Sequence, residues 1–218
     1  NFLSIVKGIE EGRIAYDNTK KATKFLLASN MGEMLIIFYS IVLNLPLPIL
    51  PLQVLWVNLI SDVIPSIALI KEPGEDVMKS KPRRESSILS GMIPFIILTS
   101  IVSLIVLALV FHFGLVHFSL EKTRTLVMLS MVGFETFFVF ACRSDKPLTD
   151  IGFFTNKSII YSVAILIMLQ IVLVYTPLAK AFSIVPLSLS EWGLVLVASI
   201  PGLVIFELWK LIKKKMQK

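Results

Sequence analysis

Six apolar stretches, each long enough to cross a bilayer as a helix, occupy this chain at roughly 22–43, 51–70, 93–113, 126–142, 159–175 and 194–211. A hydrocarbon core takes about 20 residues of helix to cross. Its backbone has no other satisfied route except a closed barrel. With 56% hydrophobic residues among 218 and a mean hydropathy of +0.83, there is more apolar surface here than a soluble core of this length can hide. The expected fold class is all-α: a polytopic membrane protein with a six-helix transmembrane bundle and an N-terminal cytoplasmic stalk helix.

The net charge of +6 follows from topology. Lys7, Arg13, Lys20, Lys21 and Lys24 precede the first span, and Lys71, Lys79, Lys81, Arg83 and Arg84 follow the second. Arg143, Lys146 and Lys157 separate the fourth from the fifth, while Lys210, Lys213, Lys214, Lys215 and Lys218 close the chain. Of 21 Lys and Arg, only Lys122, Arg124 and Lys180 fall on the other side. By the positive-inside rule both termini are cytoplasmic. The basic balance therefore needs no nucleic acid, and no nucleic-acid signature is present. The single cysteine, Cys142, excludes an internal disulfide framework and a CxxC metal site.

Ile5, Ile9 and Ile14 space an amphipathic helix from about Phe2 that runs without proline into the first span, so residues 1–21 read as a stalk. Residues 22–211 read as the six-span unit and 212–218 as a basic cytoplasmic tail. The link "NLPLPILPL" is uncharged and rich in proline, as a tight external turn should be. "KEPGEDVMKSKPRRESSILSG" is polar and basic, as a cytoplasmic loop should be. The remaining connections are too short for another globular domain. A cleaved leader is not expected, because no basic, apolar, small-residue stretch precedes the first span. Its abrupt helical start is that of a piece of something longer.

Glu33, Asp62 and Glu135 lie well inside apolar spans. Each costs roughly 2.5 to 3.5 kcal/mol at a helix centre, so an intramembrane acid is read as functional by default. Asn30 and Glu33 are one turn apart, and Asn58, Ser61 and Asp62 share a second turn. Each set presents its oxygens on a single helix face. Pro65 cannot donate to the carbonyl of Ser61 and so frees a further oxygen. Asn30, Glu33, Asn58, Ser61, Asp62 and Glu135 thus offer oxygen donors with no thiolate or imidazole among them. Such a set suits a hard cation such as calcium, whereas zinc or copper would want Cys or His. Buried carboxylates also bind protons, and that alternative stays open here.

Interhelical hydrogen bonding is the competing explanation, at about 0.6 kcal/mol per contact on average. It accounts for Asn30, Asn58 or Ser61 singly, but poorly for three acids with no basic residue at the same depth. Gln170 reads as such packing glue, Glu207 with Lys210 as an interfacial pair, and His112 and His117 as interfacial. Tyr175, Trp192 and Trp209 fit aromatic belts.

The segments "NF..IV..IEEGR..Y.N.KK...FLLASNMGE", "LPLQVLWVNLISDVIPSIAL" and "D.MK.KPR" resemble the C-terminal membrane half of type II P-type cation-transporting ATPases, most closely sarcoplasmic reticulum type calcium pumps and their prokaryotic relatives. The resemblance is most specific from Asn1 to Arg84; beyond that it rests on spacing and on "GFETFFVFACRS". It implies that the six spans are the family's fifth to tenth helices and that the stalk follows its phosphorylation domain. Asn30 and Glu33 then match the fifth-helix ion ligands, Asn58 and Asp62 the sixth-helix ligands, and Glu135 the eighth-helix carboxylate. Ser61 stands where the calcium pump has threonine, keeping the hydroxyl. Sodium/potassium pumps have aspartate where this chain has Asn58, and plasma-membrane calcium pumps lack the acid at Glu33. The first difference favours calcium, and the retained Glu33 and Glu135 argue for an intact outer site, with two ions per cycle as a hypothesis.

The resemblance implies the ion-translocating portion of an ATP-driven calcium pump that exports Ca2+ from the cytoplasm and returns protons, expected in a prokaryotic plasma membrane. The DKTG and TGE motifs, the nucleotide domain and the first four helices are not in this sequence. ATP and Mg2+ would therefore act only through the N-terminal remainder of the pump, the expected partner beside the lipid bilayer. A pump for sodium, manganese or another cation is the nearest alternative. An independent channel or secondary transporter and a structural membrane subunit are more distant ones.

Overall fold

The computed structural model describes residues 2–74, 77–78, 88–89 and 91–216. Lys79, Lys81, Arg83 and Arg84 of the basic loop and Lys218 of the tail lie outside the described residues. Among those described there are helices and no strands, and six helical segments are long and apolar enough to cross a membrane.

The first is α1, Phe2–Val42, in which stalk and span are one unbroken helix because no proline or helix-ending glycine interrupts it. The second span runs from Pro51 to Ile70 in three pieces: α2 (Pro51–Trp56), a π-helical turn (Val57–Asp62) and α3 (Val63–Ile70). α4 (Ile93–His117) and α5 (Leu120–Cys142) extend beyond the apolar windows of the sequence. α5 starts early because Ser119 caps it, accepting a hydrogen bond from the Lys122 N–H at 3.3 Å. After the single-turn α6 (Leu148–Ile151) comes α7 (Lys157–Tyr175), whose first turn is capped by Asn156. A short α8 (Leu178–Ala181) leads to α9 (Leu189–Ser199) and α10 (Pro201–Met216), the two halves of the sixth span. The division between them, unmarked in the sequence reading, falls where Pro201 supplies no N–H to continue the ladder.

α5 is the central helix. Of its apolar window 89% is buried, against 22 to 44% in the other five spans. It packs against α1, α3, α4, α7, α9 and α10 and the π turn. The hydroxyls this burial encloses are mostly satisfied locally, as Thr123, Thr125 and Thr136 donate to the carbonyls of Ser119, Glu121 and Val132. Close helix approach is bought with glycine: a Cβ on Gly202 of α10 would run into the Phe134 carbonyl of α5, and one on Gly133 would meet the Ser199 hydroxyl. Phe25, Phe95, Phe134, Phe138 and Phe206 stack around this contact.

At the end opposite the termini, Lys122 pairs with Glu191 at 2.7 Å, Arg124 donates to the Leu47 carbonyl, and Gln53 to that of Phe182. At the end carrying the termini, Lys210 pairs with Glu207 at 2.6 Å while Lys24 reaches Asp145 at 3.4 Å. The glue role expected of Gln170 is not observed. Its side chain is buried, yet neither amide atom has a hydrogen-bond partner among the described residues.

Candidate cation site

The π turn holds three of the six candidate ligands: Asn58, Ser61 and Asp62 all lie within Val57–Asp62. Pro65 lacks the N–H that would close on the Ser61 carbonyl. The helix is widened over the residues just before it, and such π turns recur at functional sites. Asn30 and Glu33 face this turn from α1. The Asn58 amide donates to Glu33 Oε2 at 2.7 Å, and the Asn30 amide donates to Asp62 Oδ2 at 3.3 Å. Each carboxamide also holds its own helix, Asn30 through the Leu26 carbonyl and Asn58 through that of Val54. The two ligand pairs predicted within helices are therefore cross-linked between helices.

Glu135 approaches from α5. Asp62 lies within electrostatic reach of Glu33, and Glu135 within reach of both. Glu33, Asp62 and Glu135 are all buried, as is Ser61, while Asn30 and Asn58 are half-buried. No Lys, Arg or His donates a hydrogen bond to any of the three acids among the described residues. Each acid keeps one unpartnered buried oxygen: Glu33 Oε1, Asp62 Oδ1 and Glu135 Oε2. The Ser61 hydroxyl is equally unpartnered.

One further oxygen escaped the sequence reading. The Ser29 hydroxyl is buried beside Asp62, four residues before Glu33 on the same face of α1, and makes no hydrogen bond of full geometry among the described residues. Its signal was there in the spacing, but a serine beside an asparagine ordinarily bonds back to its own helix.

Five unpartnered oxygens on α1, the π turn and α5 form an acceptor-rich cluster within the spans. An unsatisfied buried polar atom ordinarily costs about 1 to 3 kcal/mol, so a cluster of them calls for a ligand that supplies positive charge. In the conformation described, with two oxygens engaged by carboxamides, no group of three or more Asp, Glu, His or Cys side chains closes to metal-holding distance among the described residues. Rotation of Asn30 and Asn58 to turn their carbonyls inward would release Glu33 Oε2 and Asp62 Oδ2.

A second polar cluster lies nearer the termini. Arg143, at the end of α5, is fully buried, and its guanidinium donates to both oxygens of Glu72 at 2.8 to 3.1 Å. It also donates to the Gly152 and Phe153 carbonyls and to the Thr155 hydroxyl. Glu72 further accepts from the Asn156 amide at 2.6 Å, and its backbone carbonyl from Asn18 of α1 at 2.7 Å. Sequence reading counted Arg143 only as a loop charge and gave Glu72 no role.

Comparison with known proteins adds an independent line. Residues 46–212 match the family model described as "Cation transporting ATPase, C-terminus". Calcium-transporting ATPase 1 of Bacillus cereus is 36% identical over 236 residues, covering 98% of this chain and 26% of the relative. Calcium-transporting ATPase of Bacillus subtilis is 36% identical over 211 residues, covering 92% of this chain and 23% of its own length. Calcium-transporting ATPase 3, endoplasmic reticulum-type, of Arabidopsis thaliana is 32% identical over 248 residues, covering 98% and 25%. The chain thus spans about a quarter of the length of these relatives.

Proposed function

This chain belongs to the family of cation transporting ATPase C-terminal regions, and from that premise we propose that it is the ion-translocating membrane portion of an ATP-driven calcium pump. The single observation that carries the reading is the set of unpartnered oxygens on three neighbouring helices: Ser29, Glu33, Ser61, Asp62 and Glu135. Calcium takes 6 to 8 oxygens in flexible geometry, and the carboxamides of Asn30 and Asn58 complete such a set. The relatives are calcium-transporting ATPases in bacteria and plants alike, which favours calcium over sodium or manganese.

On this reading calcium is cargo. Glu33, Asp62 and Glu135 bind it from the cytoplasm, and protons neutralise the carboxylates after its release, because three buried acids without a base cannot all remain charged and empty. Asn30 and Asn58 switch between bonding the acids and bonding the ion. The continuous α1 joins Glu33 to the stalk, so a rigid movement of the stalk reaches the site without a hinge. ATP and Mg2+ are handled by the N-terminal remainder of the pump, whose phosphorylation, actuator and nucleotide domains and first four helices are the partners of this chain. On the same reading both termini face the cytoplasm, in a prokaryotic plasma membrane.

In the longer protein, Asp62→Ala should abolish calcium-dependent phosphorylation by ATP, with sodium and manganese titrated in parallel. Normal calcium affinity in that variant would sink the reading. An ATP-independent calcium flux through liposomes containing only this chain would replace it with a channel.

A further inference from the structure

The two halves of the candidate site are held differently. α1 and the π turn are stitched together at the site itself, by Asn58 to Glu33 and Asn30 to Asp62. Glu135 has no such stitch: no hydrogen bond to its carboxylate occurs among the described residues. Its distance from Asp62 must be set elsewhere on α5. Among the described residues, an ionic tie between α5 and the turn that ends the second span is Arg143 with Glu72, eight residues beyond Glu135, or about 12 Å along the helix axis.

We propose that Arg143 and Glu72 are positioning residues for the cation site, fixing the depth and rotation at which α5 presents Glu135 to Asp62. The proposal rests on the cation reading above. Three features support it. The tie is a fork: the Nε and Nη2 of Arg143 both reach the Glu72 carboxylate, which fixes direction as well as distance. It is braced on every side, by Asn156 at the start of α7, by Asn18 of α1, and by the Gly152 and Phe153 carbonyls. And a buried ion pair is a poor choice for stability alone, since apolar residues of similar volume serve as well or better; fixing registry is its best-attested use. A helix is stiff over two turns, so slack at Arg143 becomes displacement at Glu135.

The experiment is equilibrium binding of radioactive calcium to the full-length protein in detergent, for wild type, Glu72→Gln, Glu135→Gln, Asn58→Ala and the doubles of Glu72→Gln with each of the other two. Thermal melting of each variant is followed in parallel. Glu72→Gln should weaken calcium binding about tenfold or more, the scale seen when groups that orient metal ligands are removed. In the Glu135→Gln background it should weaken binding no further, whereas with Asn58→Ala the effects should multiply. An unchanged affinity in Glu72→Gln, even with a lowered melting temperature, overturns the proposal, as does full multiplication with Glu135→Gln. Should Glu72→Gln yield too little folded protein, Arg143→Lys, which keeps the charge and loses the fork, goes through the same comparison. Calcium binding absent from wild type would overturn the cation reading and this proposal with it; binding in wild type that Glu72→Gln and Arg143→Lys leave intact overturns this proposal alone.

Discussion

Two buried polar clusters stand on the same three helical spans, and they are built on opposite principles. At Arg143 and Glu72 every charge meets its opposite: all three guanidinium nitrogens donate, and both carboxylate oxygens accept. At Glu33, Asp62 and Glu135 negative charge is gathered without any cationic partner among the described residues, and each acid keeps an oxygen unpartnered there. Burial and polarity are common to both. What separates a fastening from the proposed binding site is therefore satisfaction: the first cluster is complete among the described residues, while the second keeps acceptors that none of them fills.

The sharpest way to break that contrast is to delete one partner in each cluster. Arg143→Ala leaves the Glu72 carboxylate buried and uncompensated, which should cost roughly 3 to 5 kcal/mol. Asp62→Asn removes a charge that had no counter-ion, so in calcium-free buffer it should leave stability unchanged or raise it. Melting of both variants in the same detergent checks the pair. An Arg143→Ala protein as stable as wild type would show that the fastening carries no load.

Calcium itself gives the next largest effect. Held at a hundred times its dissociation constant, a ligand of the native state alone stabilises by about 2.7 kcal/mol. Wild type should gain an increment of that order, and Asp62→Asn none. An equal gain in both would place the calcium somewhere other than this cluster. A smaller effect follows from the close crossing of α5 and α10. Gly202→Ala drives a Cβ into the Phe134 carbonyl, which backbone cannot easily yield, and should cost about 1 to 3 kcal/mol. Calcium affinity in that variant reports whether the α10 side of α5 also matters to Glu135.

The same contrast explains what could be read from the sequence. An acid in an apolar span is conspicuous because its surroundings are so uniform, so Glu33, Asp62 and Glu135 could be picked out without a structure. Arg143 and Glu72 sit at helix ends, where charges are ordinary, and nothing local tells a buried pair from two solvated residues 71 positions apart. Pro65 announced an irregular helix, but only the fold shows the wide turn over Val57–Asp62. Pro201 carried the same kind of warning for the sixth span, masked by the apolar residues on both sides. Gln170 failed as glue for a related reason: its partners depend on what α7 faces, which is a property of packing rather than of the residue.

The mildest test uses an ion pair that belongs to neither cluster. Lys24 is nearly buried on α1 and reaches Asp145 just past α5, where the carboxylate is exposed. The nearby ammonium of Lys24, chiefly, holds the Asp145 carboxyl below its ordinary value of 3.8. A carboxyl whose folded value is depressed contributes stability that is fully present above its unfolded value and is lost as pH falls through the folded one. The contribution should therefore be constant from neutrality down to about pH 4 and fade below it, from a ceiling of about 1 kcal/mol because one partner is exposed and screened. Asp145→Asn should lower stability by no more than that at pH 7 and by progressively less as pH falls below about 4, measured by denaturant melts at low salt. Because the pair joins α1 to the end of α5, as Arg143 and Glu72 join the turn after α3 to it, calcium affinity in Asp145→Asn is the matching control. An affinity that falls as far as in Glu72→Gln would mean that any charge at this end of α5 tunes the site, and the braced fork of Arg143 would lose its special standing.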